Sequence, residues 1–395
     1  MRKRVLFITR SHCIPPKGAE ARRARCLARA LSDAGCEVTV LHSIFSESKY
    51  ASIMEHNIRY CYPFTNEKLI RAGYAGKLIK TVFSYIAFVF MLFLVRQKRA
   101  YDVVYLYTSE LFVIKLVLTM LNKRIPIVKE ICEWYPSIPS CPPNKKKYYL
   151  EKLLSRINGA VVISRFIEKT VTDIKSIQNP DIPLLKIPIL YENVPEKKTN
   201  ECRNHFIWHG DCRGYLDLIL FLLRAYGYAV RMNPKNLPCL VIAGISDKET
   251  DKKIDGLSRE IGISDKVEIV GFLEETTLDQ KIYSSIAAVL PLFDDERSAA
   301  RFPTKLAEYL CRGIPVIASK VGEVGLYLKD EDTAVLVETQ EAEVFGKKMI
   351  WAFENKDKIS QIGLNGKKLA KIEFYYKSHM HKLDKYISQI SNMQK

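Results

Sequence analysis

The chain has 395 residues, enough for two or three domains, and 48% of them are apolar, enough for sizeable cores. Its net charge of +17 points to phosphorylated substrates, an anionic membrane or nucleic acid; the basic residues are dispersed and carry no interleaved aromatic motif, which argues against nucleic acid. The 10 cysteines show no C-x-x-C or Cys/His clustering, so neither a zinc site nor a disulfide framework is expected, which fits a reducing cytoplasm.

Arg4 to Thr9 is an apolar β-type run; Val5 to Ile8 is too short for a signal-peptide core. After the loop SHCIPPKGAE, helical spacing runs from about Ala19 to Ala34, with Ala24, Leu27, Ala28 and Leu31 as the stripe and Arg22, Arg25 and Arg29 largely outside it. Gly35 stops this helix and Glu37 to Leu41 is a second strand, giving a βαβ unit and hence a parallel sheet. Gly18 serves either to let a phosphate approach the backbone or simply to turn the chain.

Val82 to Val95 is the longest apolar run. As a helix it spans about 21 Å at ~1.5 Å per residue, short of a ~30 Å hydrocarbon core. Lys68, Arg71, Lys77 and Lys80 precede it, and Arg96, Lys98 and Arg99 follow. Two readings stay open: a buried core helix, or a helix in the interface of an anionic membrane.

Asp102 to Tyr107 and Ile125 to Ile131 are further strands, ending in Thr108-Ser109-Glu110 and Cys132-Glu133-Trp134-Tyr135-Pro136. Carboxylates at the carboxyl ends of parallel strands point to the ligand crevice, which makes Glu130 and, better, Glu133 site candidates. Lys145 to Lys147 reads as a solvated turn, Tyr148 to Leu154 as a helix, and Ala160 to Ser164 and Ile187 to Leu190 as extended chain. Glu192 to Arg203 is polar and unpatterned, so the domain boundary falls there.

A second alternation follows. Phe206 to Trp208 leads into His209-Gly210-Asp211-Cys212-Arg213-Gly214 and a helix from about Leu216 to Asn233. Strands at Leu240 to Ala243 and Lys266 to Val270 come next, the latter followed by Gly271-Phe272-Leu273. Ile286 to Leu292 is a strand ending in an acidic loop; Pro303 stands as first helical residue, Leu306, Leu310 and Cys311 recur at helical spacing, Gly313 ends the helix, and Ile314 to Ala318 is a buried strand. Such a helix start is an anion site, here reinforced by Arg301 and Lys305, and Glu308 shares a face with Lys305. A phosphate-plus-ribose ligand needs this combination of cations and a fixed carboxylate. The remaining elements are a strand at Ala334 to Val337 and a helical tail from Lys347, whose Phe374, Tyr375 and Tyr376 can pack back across a domain. This gives domains at 1–195 and 204–370, with a helix over 371–395 returning to the first.

No G-x-G-x-x-G follows the first strand, no acidic residue follows the second (Leu41-His42-Ser43), and no P-loop occurs, so nicotinamide chemistry and ATP hydrolysis are set aside. Asp294-Asp295-Glu296 reads as loop solvation rather than a metal site.

The ordered set K-G-A-E at Lys17–Glu20, K-E-I-C-E-W-Y-P, the G-x-x-x-G element at Gly210–Gly214 and K-L-A-E-Y-L-C-R-G-I-P-V-I-A resembles a GT-B glycosyltransferase, most closely the retaining family 4 enzymes. The resemblance implies an α/β fold of two Rossmann-like βαβ domains facing each other across a cleft, with the acceptor on the first and a nucleotide-sugar donor on the second. It assigns Glu308 to the donor ribose, Gly271, Phe272 and Leu273 to the nucleobase, Arg213 to the diphosphate and Gly18 to the loop that closes over the phosphates. His12 and Glu133 fall on the acceptor side; Glu133, Arg301 and Lys305 are the catalytic candidates. The chain departs from the family pattern at Ala300, where a second glutamate is common, at Arg301 and Pro303, where small glycines are, and at Cys132, where a histidine often contacts the sugar.

The function expected is transfer of a sugar, with retention, from a nucleoside-diphosphate sugar to an acceptor hydroxyl in polysaccharide or glycoconjugate synthesis. No cofactor or metal is expected. Partners are the nucleotide sugar, a glycan or lipid-linked acceptor and peripheral contact with an anionic membrane, in the cytoplasm or at the membrane's cytoplasmic face. The alternatives are a sugar-nucleotide epimerase or hydrolase on the same scaffold, or a non-catalytic nucleotide-sugar-binding protein.

Overall fold

The computed structural model describes residues 2–16, 18–43, 51–63, 73–194, 203–233 and 237–393, and the side chains of all of these except 73–78 and 80. Lys17, Lys68 and Arg71, the side chains of Lys77 and Lys80, and most of the polar linker lie outside the described residues. The chain divides into two compact units, Met1–Glu192 with Tyr375–Lys395, and Asn193–Phe374.

The first unit runs β1 (Arg4–Thr9), α1 (Gly18–Asp33), β2 (Glu37–His42), β3 (Ser52–Glu55), β4 (Ile58–Cys61), α2 (Gly73–Lys98), β5 (Val103–Tyr107), α3 (Leu111–Leu121), β6 (Ile127–Ile131), α4 (Pro143–Glu151), β7 (Gly159–Val162), α5 (Arg165–Gln178) and β8 (Leu184–Lys186). The second runs β9 (His205–Asp211), α6 (Leu216–Met232), β10 (Cys239–Ile245), α7 (Lys248–Glu260), β11 (Val267–Gly271), α8 (Glu275–Tyr283), β12 (Ser285–Leu290), α9 (Glu296–Ala300), α10 (Thr304–Cys311), β13 (Val316–Ser319), α11 (Glu323–Tyr327), β14 (Val335–Val337), α12 (Ala342–Glu354) and α13 (Lys356–Glu373). α14 (Met380–Asn392) then belongs to the first unit.

The first sheet has the order β3-β4-β2-β1-β5-β6-β7-β8, parallel except for the β3–β4 edge pair. Its central strands β5, β6 and β7 are buried along their whole length, and β1 is buried from Val5 onward. A strand covered by helices on both faces reads as a continuous apolar run, which is why these were visible in the sequence. The second sheet has the order β11-β10-β9-β12-β13-β14, all parallel. Each sheet therefore reverses its winding beside its first strand, β1 against β5 and β9 against β12. Ligands of open α/β sheets bind outside the carboxyl ends at such a reversal.

α14 completes the first core. Leu383, Ile387 and Ile390 are buried there, and the Tyr386 hydroxyl lies 3.0 Å from the carbonyl oxygen of Ala160 and 2.8 Å from that of Pro183. Gly159 makes room for it: a Cβ there would stand 2.5 Å from the Tyr386 hydroxyl.

Several readings of the sequence change. Lys145 to Lys147 lie in α4, which starts at Pro143 because a proline suits a first turn, and the helix ends at Glu151 rather than Leu154. Lys145 stands 3.3 Å from the Tyr135 ring centroid. β8 pairs through Leu184–Lys186, before Ile187 to Leu190, since Pro188 has no N–H with which to extend the ladder. Arg25 is buried rather than outside the helix stripe, because Glu192 (2.8 Å) and Glu55 (3.3 Å) meet it. Glu130, a site candidate by its place on β6, is buried against Arg23 at 2.7 Å and accepts a short hydrogen bond from Tyr105. α2 is not a core helix. Ser84, Phe88 and Leu92 are buried, while Val82, Phe83, Ile86, Val89, Phe90, Phe93 and Leu94 are exposed.

Candidate active site

The stretch between β12 and β13 builds the site. The Asp295 carboxylate accepts the Ser298 N–H at 2.7 Å, so the acidic loop is the cap of α9. Ala300 ends α9 buried, Arg301 follows in extended backbone, and Pro303 occupies the cap of α10 rather than its first turn. α10 buries Leu306, Ala307 and Leu310. Lys305 and Glu308, three residues apart, project together towards the end of β9.

Lys305 Nζ stands 4.0 Å from the Trp208 ring centroid and 4.9 Å from that of Tyr215. Among the described residues no carboxylate is paired with it. Burial pulls its ammonium down to about 8. Gly210 lies beneath: a Cβ there would be 2.1 Å from Lys305 Nζ. Gly244, at the end of β10, is equally required, since its Cβ would sit 1.7 Å from the Gly210 carbonyl oxygen.

Glu308 Oε2 is 3.0 Å from His209 Nε2, and His209 Nδ1 is 2.7 Å from the Tyr309 hydroxyl. Burial lowers the His209 pKa although Glu308 opposes it, so the ring is neutral. Its one proton goes to Nε2, which donates to the carboxylate, and Nδ1 accepts from Tyr309. This chain of bonds fixes the Glu308 carboxylate at the end of β9. The whole is an anion seat beside a braced carboxylate, at the winding reversal of the second sheet.

Residues 228–369 match the family described as glycosyl transferases group 1. This match lies within the second unit. No curated protein sequence matches the chain significantly. Among solved structures, sucrose-phosphate synthase of Thermosynechococcus elongatus is 17% identical with TM-score 0.71, covering 99% of this chain and 100% of its own. HepE of Anabaena in complex with UDP and glucose is 15% identical with TM-score 0.68, covering 98% and 100%. A glycosyltransferase of Rickettsia africae is 14% identical with TM-score 0.66, covering 98% of each chain. The fold that the chain shares with these structures is GT-B.

Of the sequence candidates, the structure brings Lys305 and Glu308 together. Arg301 lies three residues before Thr304, the first residue of α10. Arg213 is turned to Asp211, its Nε 3.1 Å from Oδ1, at the surface beyond β9. Gly271, with φ +64, ends the edge strand β11, followed by Phe272, which is 74% exposed, and half-buried Leu273. Trp208, Gly210, Tyr215, Tyr309 and Gly244 were not singled out as site residues; the glycines at the ends of adjacent strands were the available signal.

The other candidates belong to the first unit. Gly18, with φ +84, is the exposed first residue of α1. His12 follows β1 and stacks towards His42 (6.2 Å) and Tyr62 (6.4 Å). Glu133 follows β6, half-buried, near Glu20. Lys129 is buried, donates a short bond to the Glu130 carbonyl, and is pulled down to about 8 by burial. Cys132 Sγ is 3.8 Å from the Tyr107 hydroxyl.

Proposed function

We propose that the protein transfers a sugar from a uridine-diphosphate sugar to an acceptor hydroxyl with retention, in polysaccharide or glycoconjugate synthesis at the cytoplasmic face of a membrane. The observation that carries the reading is the Lys305–Glu308 pair set over the end of β9, within the stretch that matches the group 1 glycosyl transferases. UDP as donor nucleotide follows the bound UDP and UDP-glucose of structures of HepE.

In this reading Glu308 accepts hydrogen bonds from the ribose hydroxyls, held in place by neutral His209. Lys305, unneutralised and seated on aromatic faces, takes the β-phosphate charge that grows as the sugar–oxygen bond breaks. Arg301 adds a second cation from the loop ahead of α10. Arg213 contributes only when it leaves Asp211. Gly271, Phe272 and Leu273 meet the base, with exposed Phe272 as a stacking surface. Glu133 and His12 are assigned to the acceptor, which is a glycan or a lipid-linked hydroxyl, and Gly18 to the loop over the phosphates. No metal is assigned a role; transfer that persists in EDTA agrees, and transfer abolished by EDTA and restored by a divalent ion overturns that point.

The test is thermal stabilisation by UDP and GDP together with chromatography of the products. Stabilisation by UDP and UDP release that depends on acceptor support the reading. Accumulation of free sugar or an epimer without acceptor product favours a hydrolase or epimerase. Binding without turnover would instead make buried Ala300, where the resemblance has a glutamate, the mark of a non-catalytic binder. The anomeric configuration of the product, read by proton NMR, decides retention.

A further inference from the structure

α2 carries an apolar surface that the first unit does not cover. Val82, Phe83, Ile86, Val89, Phe90, Phe93 and Leu94 are between 37% and 60% exposed. At about 100° per residue they fill one arc of about 140°. The opposite arc holds Ser84, Phe88 and Leu92, all buried, on the side that packs on α3. Tyr85 donates to Glu110 Oε1 at 2.5 Å and stands edge-on to Phe112, ring centroids 5.4 Å apart. Phe112, 57% exposed, extends the apolar surface onto α3.

Along the sequence of this helix and its flanks the charge has one sign. From residue 68 to residue 101 the sequence holds Lys68, Arg71, Lys77, Lys80, Arg96, Lys98 and Arg99 and no Asp or Glu. Arg96, Lys98 and Arg99 are exposed at the end of the helix. An acidic lipid surface complements that flank. A second copy of the chain does not, because a two-fold contact sets each patch against itself and opposes like charges.

Thr81–Lys98 is long and apolar enough to cross a bilayer. The packing speaks for another arrangement, since a buried stripe of Ser84, Phe88 and Leu92 runs alongside the exposed one and α2 packs on α3. A helix held by the protein on one side offers a bilayer only its other side.

We propose that α2 is an in-plane membrane anchor, its Val82–Leu94 face sunk into the headgroup–acyl boundary of an anionic bilayer and its basic end among the headgroups. This deepens the membrane contact proposed above and rests on it. Because Glu110 lies just past the carboxyl end of β5, the Tyr85–Glu110 bond places the anchor beside the acceptor side of the first unit, where a lipid-borne acceptor arrives.

The experiment is flotation of the full chain with vesicles of phosphatidylcholine alone and of phosphatidylcholine with phosphatidylglycerol, at low and high salt. The anionic vesicles should carry the protein, with a part of the binding surviving high salt because apolar contact is not screened. Phe83→Asp/Phe90→Asp should lower the bound fraction about tenfold or more. In a Phe90→Trp variant, bromine placed on the upper acyl chain should quench the added fluorescence more than bromine at the chain end; the reverse order indicates spanning and overturns the in-plane anchor. No flotation with either vesicle overturns it, as does binding that the double aspartate variant leaves unchanged or that high salt abolishes. A dimer in light scattering that the double variant dissolves, without flotation, assigns the face to a second copy. UDP stabilisation of the same variants shows that they fold, and its absence in the wild type would sink the transfer reading while leaving the flotation result standing.

Discussion

Lys305 is a cation resting on the faces of Trp208 and Tyr215. It titrates near 8 in the folded chain against an ordinary 10.5, because burial disfavours the charged form. Between those values the unfolded chain binds the more protons, so this residue makes stability rise with pH through that window. Urea midpoints from pH 7.5 to 10 should show the rise in the wild type and lose that component in Lys305→Met. A bound diphosphate favours the charged form, so UDP affinity should fall as pH climbs past about 8; calorimetry on Lys305→Met should give weak, flat binding across the same range. Gly210→Ala forces Nζ from its seat, since the new methyl would lie 2.1 Å away, and should weaken UDP by about tenfold or more. Glu308→Gln keeps the shape but weakens the acceptor of the ribose bonds and of His209, and kcat/KM should drop about 10- to 100-fold with the melting temperature nearly unchanged. Wild-type kinetics in that variant would remove Glu308 from the site.

At the scale of elements, α1 and β6 are locked by a buried ion pair. Arg23 meets Glu130 at 2.7 Å and also donates to the carbonyl oxygen of Ile187 at 2.9 Å. Removing one partner leaves a charge buried without compensation. Arg23→Met should cost about 3–5 kcal/mol in urea unfolding, and Arg23→Met/Glu130→Gln should recover part of it. An unchanged midpoint in the single variant would show that water reaches Glu130. By their spacing Arg22, Arg25 and Arg29 fall largely outside the apolar stripe of α1. Spacing alone does not reveal that Glu130, Glu55 and Glu192, distant in sequence, bring carboxylates to that helix.

At the scale of the molecule, the first unit is built from both ends of the chain. Leu383, Tyr386, Ile387 and Ile390 of α14 belong to its core, and Tyr376 donates to Asp33 on α1 at 2.8 Å. Truncation after Phe374 removes these groups and uncovers Val161 and Leu185 from the same core. It should yield a chain whose first unit binds a hydrophobic dye and is cleaved rapidly by trypsin, while the second unit remains protected. Equal resistance of both units would mean that α14 is dispensable to the first core.

The sequence by itself determined the parallel α/β architecture. β1, β5, β9 and β12 are short apolar runs between turn residues, and burial on both faces leaves no alternative pattern for a parallel strand. It also marked Lys305 and Glu308, because three residues on a helix define a shared face without knowledge of the rest. Only the tertiary structure buried Glu130 against Arg23, paired Arg213 with Asp211, and made His209 the brace of Glu308. These depend on which distant groups a side chain meets, and folding sets those distances. α2 follows the same rule: its apolar residues were plain in the sequence, but whether a protein core or a membrane receives them depends on what packs against each face.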